Sequence, residues 1–118
     1  MIKFKQVAAL LIIIVFSVHA NSQVSKIDSL KTLIKESVDK TQKVKLMNRL
    51  SRNYMLSNPD SGLSVGQHAL KEAFELENDT LIISLYSSIG LNHLYMQNKD
   101  SAYSYFRKAN LKALKLTC

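Results

Sequence analysis

The residue types that most often perform catalysis are scarce in this chain of 118 residues. Histidine occurs three times. His19 lies in an apolar N-terminal segment, His68 lies among charged neighbours that indicate a solvated helix face, and His93 occupies a position that helical periodicity assigns to packing. Cys118 is the single cysteine, so neither an internal disulfide nor a cysteine-based zinc site can form. We expect none of these residues to act as a nucleophile or a metal ligand.

The serines and glutamates also lack the partners that catalysis requires. Ser87 and Ser88 are adjacent on a predicted helix without a partner histidine. Glu72, Glu75 and Glu77 form an acidic patch without a matching base or set of metal ligands. The sequence contains no HExxH motif, no GxSxG motif and no glycine-rich phosphate loop. We therefore expect no enzyme activity, no cofactor and no metal site.

The sequence has more residues suited to binding a ligand than to catalysis. Cations and an amide share one face of a predicted helix. Lys45, Asn48 and Arg52 are separated by three and four residues, and Met55 continues the same face. These groups could hold an acidic side chain or a C-terminal carboxylate through charge-assisted hydrogen bonds. The matching face of a later helix is more apolar and carries Ser84, Ser87, Leu91, Leu94 and Tyr95. The two faces predict a peptide-sized groove with a basic end; an ordinary solvated surface is the alternative.

These faces belong to segments that occur twice in the chain. TQKVKLMNRLS begins at Thr41 and TLIISLYSSIG begins at Thr80, and in both the apolar residues recur three and four apart. This spacing predicts two amphipathic helices with the threonines as N-caps. The turn NPDS, at 58–61, recurs as NKDS at 98–101, so the offset grows from 39 residues before the turn to 40 after it.

A second helix is predicted after each turn. Pro59 suits the first position of such a helix, because its missing N–H would have no partner there. The face of the helix that follows is made of small residues at helical spacing, namely Gly62, Gly66, Ala69 and Ala73. Small side chains allow close approach of two helix axes, and Phe106 fills the gap in the second copy. The pattern predicts two helical hairpins, at 41–78 and 79–116.

The second hairpin resembles the tetratricopeptide repeat (TPR). Its spacing matches W-x2-L-G-x2-Y followed by A-x3-F-x2-A, carried here by Tyr86, Ile89, Gly90, His93, Ala102, Phe106 and Ala109. Tyr86 takes the place of tryptophan, and His93 takes the place of tyrosine. The first hairpin is more divergent, because Gly66 replaces the large aromatic residue. The resemblance implies an all-α superhelix of hairpins that mediates protein–protein contacts.

A leading helix is predicted within 21–40, where Ile27, Leu30, Leu33 and Ile34 form an apolar stripe. About five helices are then expected after the N-terminal leader. The order of these features is similar to that in the exported sensor region of bacterial membrane-bound histidine kinases and related regulators. Such regions often have a leader, an IDSL helix, an NPDS turn and then repeats. This resemblance implies signal sensing through protein contacts. Because no kinase sequence follows before Cys118, we interpret the chain as a truncated relative of such a protein.

The first 20 residues are typical of a signal peptide. Lys3 and Lys5 precede an apolar run at 7–16, and small residues lead to a cleavage site after Ala20. The run is shorter than the roughly 20 residues that cross a bilayer. We predict a periplasmic or secreted protein. The alternative is an uncleaved leader that anchors the protein in the inner membrane as an adaptor.

The charge balance narrows the class of partner. The formal net charge of +7 falls to +5 when Lys3 and Lys5 leave with the leader, and the remaining cations are dispersed. No tract is dense enough for nucleic-acid binding. The dispersed cations are typical of solvated faces, and we expect a protein or peptide partner, with an acidic one as the option that the positive charge would favour. Contact with a membrane is expected only if the leader is uncleaved. A small exported enzyme or ligand-binding protein is the alternative from another functional class.

The last predicted helix, SAYSYFRKANLKALKL, has an apolar face that no later helix covers. Tyr103, Leu111 and Leu114 lie on this face. A repeat stack usually needs about three repeats to bury its apolar surfaces. An uncovered face of this kind predicts a homodimer, a bound partner or a missing continuation of the chain.

Overall fold

The computed structural model describes residues 25–117, and every regular element in that range is an α-helix. The described part of α1 covers residues 25–36. The other helices are α2 (Lys40–Tyr54), α3 (Pro59–Glu75), α4 (Asp79–Tyr95) and α5 (Lys99–Thr117). The all-α prediction is confirmed. The predicted signal peptide, its cleavage site and Cys118 lie outside the described residues.

The starts of the helices confirm the unequal offset between the two copies. Lys40 and Asp79, where α2 and α4 begin, are 39 residues apart, and Pro59 and Lys99, where α3 and α5 begin, are 40 apart. α4 has 17 residues and α2 has 15, whereas the turn 96–98 is one residue shorter than the turn 55–58, which leaves a net difference of one residue. Pro59 is the first residue of α3, as predicted.

The predicted N-caps of α2 and α4 are wrong by two residues. Asp39 caps α2 with a carboxylate that accepts from Gln42 N at 3.0 Å, and Asn78 caps α4 with an amide oxygen that accepts from Leu81 N at 3.1 Å. A cap must lie ahead of the first helical residue to reach an unpaired amide. Thr41 and Thr80 lie inside the helices. Because Asp39 caps α2, the predicted leading segment of 21–40 contains both the end of α1 and the start of α2.

The turns after α3 and α4 have the same geometry. Glu77 and Gln97 are in the left-handed region, with φ of 54° and 64°. In each turn the next residue returns its N–H to the preceding helix: Asn78 donates to Ala73 O at 3.2 Å and Asn98 to His93 O at 2.9 Å. These bonds satisfy carbonyls at the helix ends. Together with Asn58, which caps α3, the asparagines mark the helix starts at 20-residue intervals.

The order of packing places α2 and α4 side by side. α2, α3 and α4 each contact the next helix along the chain, and α2 also contacts α4. The largest core cluster joins three helices, with Val44 from α2, Ala73 from α3 and Leu85 from α4 fully shielded from solvent. Leu30 of α1 packs against Leu46 and Leu50 on the other side of α2.

The small face of α3 is buried as predicted. Gly62, Gly66, Ala69 and Ala73 are its four buried residues. A Cβ added at Gly66 would lie 2.9 Å from Ile89 Cγ1 of α4, so glycine at this position permits close contact between the helices. The glycine that weakens the match to the repeat signature therefore has a packing role. In the second hairpin, Gly90 lies against the ring of Phe106 in the same way.

Candidate functional site

Hydrogen-bonded polar side chains join α2 to α4 along their contact. Asn48 Nδ2 donates to Ser84 Oγ at 2.7 Å, and the Ser88 hydroxyl donates to Asn48 Oδ1 at 2.5 Å. Arg52 Nε donates to Ser88 Oγ at 2.8 Å. Asn48 is only 9% exposed and Ser88 is fully buried. We refer to Asn48, Arg52, Ser84 and Ser88 as the polar seam.

A second group of polar residues continues the contact toward α3. Asn92 is fully buried, and its Nδ2 lies 3.1 Å from Ser51 Oγ and 2.9 Å from Ser88 O. The Ser51 hydroxyl donates to Gly62 O at 2.7 Å. Among residues 25–117, Asn92 Oδ1 has no hydrogen-bond partner, and it points at the site where Gly62 lacks a side chain. There is no space for a ligand at this atom, so the group is structural.

Arg52 is the member of the polar seam that reaches solvent. Its side chain is held at Nε by Ser88, and Ser88 in turn is bonded to Asn48. Within residues 25–117 its two terminal nitrogens have neither a hydrogen-bond acceptor nor an ion-pair partner. A guanidinium that is fixed at Nε loses less conformational freedom when its remaining N–H groups bind a carboxylate. Arg52 is therefore a guanidinium held at one nitrogen, and its two terminal nitrogens could bind an anion at a reduced entropic cost.

The exposed face of α2 is uniformly basic. Lys45, Arg49 and Arg52 follow one another at intervals of four and three residues, and all three are exposed. α2 contains five cations and no carboxylate. The ion pairs found among the described residues, His68–Glu72 and Lys112–Asp79, do not involve this face. We refer to Lys45, Arg49 and Arg52 as the basic row. Sequence reasoning missed Arg49, although its spacing from Lys45 and Arg52 placed it on this face.

The neighbouring face of α4 is uncharged. Leu94 and Tyr95 are 44% and 49% exposed, and Leu91 is half-buried. The Ser87 hydroxyl is used within the helix, where it donates to Ile83 O at 3.2 Å. No charged residue occurs from 80 to 92. The exposed surface along α2 and α4 thus has a basic side and an apolar side.

Two predicted groove residues are turned toward the protein. Asn48 and Ser84 bond to each other, which leaves these atoms engaged in the contact between α2 and α4. They were predicted to lie on an outer face because the spacing was considered within each helix separately, without the contact between the two helices. The other predicted groove residues keep some exposure: Lys45, Arg52, Leu94 and Tyr95 are exposed, and Met55, Ser87 and Leu91 are partly exposed.

Two ring positions of the repeat signature, Tyr86 and His93, pack against Tyr105 of α5. The rings of His93 and Tyr105 are stacked with their centroids 5.4 Å apart, and Tyr86 lies 6.1 Å from Tyr105. Lys108 Nζ lies 4.8 Å from the Tyr105 centroid. His93 is thus a packing residue, as predicted, whereas His68 is on the surface and 3.2 Å from Glu72. Ala102 and Ala109 are the buried residues of α5, Gly90 lies against the Phe106 ring of α5, and Ile89 is buried on the side of α4 that meets Gly66 of α3.

Other kinds of site have little support in the described residues. A cavity of about 150 Å³ is lined by Lys40, Lys43, Glu72, Glu75 and Leu76. It is open to solvent, and its lining carries both positive and negative side chains. Within residues 25–117, no three His, Cys, Asp or Glu side chains are grouped closely enough to hold a metal ion. In the same range, no helix has the length and apolar character needed to cross a membrane.

Comparison with known proteins gives no relative from which a function could be transferred. No protein-family model, no curated protein and no solved structure matches the chain. Any assignment of function therefore depends on the residues and the geometry described above.

Proposed function

We propose that this chain is an exported, TPR-like helical-repeat protein that acts as a protein–protein interaction module in signal sensing or transduction, without catalytic activity. Two features support the repeat class: the helix starts recur at nearly constant offsets, and the first helices of the two hairpins pack against each other. In solenoids of helical hairpins, neighbouring first helices line the concave binding surface. The basic row and the apolar face of α4 lie on those two helices.

The ligand that fits this surface is an acidic peptide with an apolar residue beside its carboxylate. Arg52 is the main support for an acidic ligand, because Ser88 fixes its Nε while its terminal nitrogens have no partner within the described chain. Lys45 and Arg49 extend the positive charge along α2. Leu94 and Tyr95 offer the apolar contact on α4, and aromatic and aliphatic anchors of this type supply much of the binding energy in protein interfaces.

Substitution of Arg52 by glutamine should weaken peptide binding about tenfold, the loss expected for one charge-assisted hydrogen-bonded contact. The probe is a set of fluorescein-labelled peptides that carry Asp, Glu or a free C-terminal carboxylate next to Leu or Phe. Affinity is measured by fluorescence anisotropy, and the tightest peptide is carried forward to the variants.

Two further variants separate an oriented guanidinium from general positive charge. Ser88→Ala keeps the charge of Arg52 and removes its anchor, so it should also weaken binding, by a few-fold. Lys71→Gln removes one charge from an exposed position of α3 and should leave the affinity unchanged. If Arg52→Gln and Lys71→Gln have equal effects, the groove assignment is wrong.

The proposed export also predicts the first residue of the mature protein. If the leader is a signal peptide, the protein recovered outside the cytoplasm should begin at Asn21, and N-terminal sequencing will show this. Retention of residues 1–20 in the membrane fraction would instead support the anchored adaptor.

A further inference from the structure

The outer face of α5 carries apolar side chains that no described helix covers. Among the described helices, α5 packs against α4, and Ala102 and Ala109 are its buried residues. On the opposite side, Tyr103 is 69% exposed, Leu111 49% and Leu114 52%. We call these three residues, together with Arg107, the α5 outer face. It is separate from the basic row of α2.

Arg107 lies in the middle of this apolar surface. Tyr103 is four residues before it, Leu111 is four residues after it and Leu114 is seven after it, so helical geometry groups all four on one side of α5. Arg107 is exposed, and no carboxylate among residues 25–117 pairs with it. Lys112, by contrast, is paired with Asp79 at 3.0 Å. No acidic residue occurs from 101 to 117.

We propose that the α5 outer face docks an acidic amphipathic helix of another protein. One carboxylate of that helix binds the Arg107 guanidinium in a bidentate contact, and its apolar stripe covers Tyr103, Leu111 and Leu114. Tyrosine and arginine are the residue types most enriched at the energetic centres of interfaces. A helix is the occupant because its side chains at intervals of three and four residues match those of α5.

The charge of Arg107 distinguishes this occupant from two others. An anionic membrane would have to take up a cation at the centre of the apolar stripe, whereas interfacial helices keep their cations on the polar face. A second copy bound about a two-fold axis would bring the same cationic surface against itself, since an isologous contact uses one patch twice. Like charges brought together in this way weaken association. A partner with a carboxylate avoids both problems.

The test uses the full chain and a defined probe peptide. The peptide has leucines along one helical face, glutamate and alanine elsewhere, and one glutamate at the centre of the leucine face. A matched peptide has glutamine at that central position. We expect the glutamate peptide to bind about tenfold more tightly, measured by fluorescence anisotropy. Equal affinities would overturn the proposal.

Charge reversal then locates the contact. Arg107→Glu should lower affinity for the glutamate peptide at least about tenfold and should raise affinity for a peptide with lysine at the central position above that of the wild-type protein. Lys71→Glu changes the net charge equally on α3 and is the control. Loss of binding in Lys71→Glu to the same extent would overturn the proposal. Far-UV circular dichroism checks that both variants keep their helices.

Two more measurements distinguish the acidic helix from the other two occupants, a second copy of the chain and an anionic membrane. Light scattering of the wild-type protein should give a monomer at the concentrations of the titration, and a dimer that Arg107→Glu dissociates would overturn the proposal. Phosphatidylglycerol vesicles should not compete with the glutamate peptide, and displacement by vesicles would also overturn it. The preference for the glutamate peptide over the glutamine peptide should be the same in the groove variant Arg52→Gln as in the wild type, so this test and that of the groove fail independently.

Discussion

Leu85→Ala should lower the free energy of unfolding by about 3 kcal/mol, the middle of the range for removing a large aliphatic side chain from a packed core. Leu85 is 0% exposed and lies in the cluster that joins α2, α3 and α4. Its neighbours there include Val44 and Ala73, which belong to different helices. The substitution loses the burial of the isobutyl group and leaves a cavity that three helices would have to move to close.

Urea denaturation followed by far-UV circular dichroism measures this effect. Leu94→Ala is the matched control, because it deletes the same atoms from the same helix at a position that is 44% exposed. The control should cost less than about 1 kcal/mol, as is usual for surface positions. Equal effects of the two substitutions would contradict the packing of α4 against α2 and α3.

Gly62→Ala should lower the free energy of unfolding by about 2 kcal/mol, although alanine is the better helix former by roughly 1 kcal/mol. The added Cβ would lie 2.8 Å from Ser51 O, a backbone atom of α2, and would also overlap the amide group of Asn92. Asn92 cannot turn away without giving up its contacts with Ser51 and Ser88. A backbone neighbour and a buried, hydrogen-bonded neighbour therefore both resist the change.

Gly66→Ala provides the comparison within the same helix. Its nearest neighbours, Ile89 Cγ1 and Ser51 Oγ at 2.9 Å, are side-chain atoms, so no backbone atom is among the closest contacts of the added Cβ. We expect it to cost at least about 1 kcal/mol less than Gly62→Ala, because both gain the same helix propensity. Urea titrations of the two variants give the difference. A Gly62→Ala protein as stable as the wild type would contradict the close approach of α3 to the contact between α2 and α4.

Helix existence and helix faces followed directly from the sequence. Residues three and four apart in α2 and α3 predicted the buried faces. Side chains at this spacing lie on one side of an α-helix, and the side that carries the apolar or small residues packs against the rest of the protein. The offset of 39 and then 40 residues also gave the relative starts of the four helices in the two hairpins. Cap positions were less certain, because Asp39 and Asn78 compete with nearby threonines that can make the same type of bond.

The candidate site was only partly within reach of sequence reasoning. The exposed cations Lys45 and Arg52 were predicted from spacing, as was the apolar character of α4 beside them. The bonding of Asn48 to Ser84, and of Arg52 to Ser88, was not predicted, because these partners are 36 residues apart and on different helices. Spacing within one helix carries no information about the rotation and height at which a second helix packs against it.

The sequence by itself determined that this chain forms helical hairpins, where those helices begin to within two residues, and which sides of them are apolar. The tertiary structure decided which polar side chains remain available to a partner. Asn48 bonds within the contact between α2 and α4, whereas Arg52 is bonded at Nε and its terminal nitrogens have no partner among the described residues. The reason is physical: periodicity is a property of one helix, but the burial and pairing of a side chain depend on the neighbouring helix that packing brings against it.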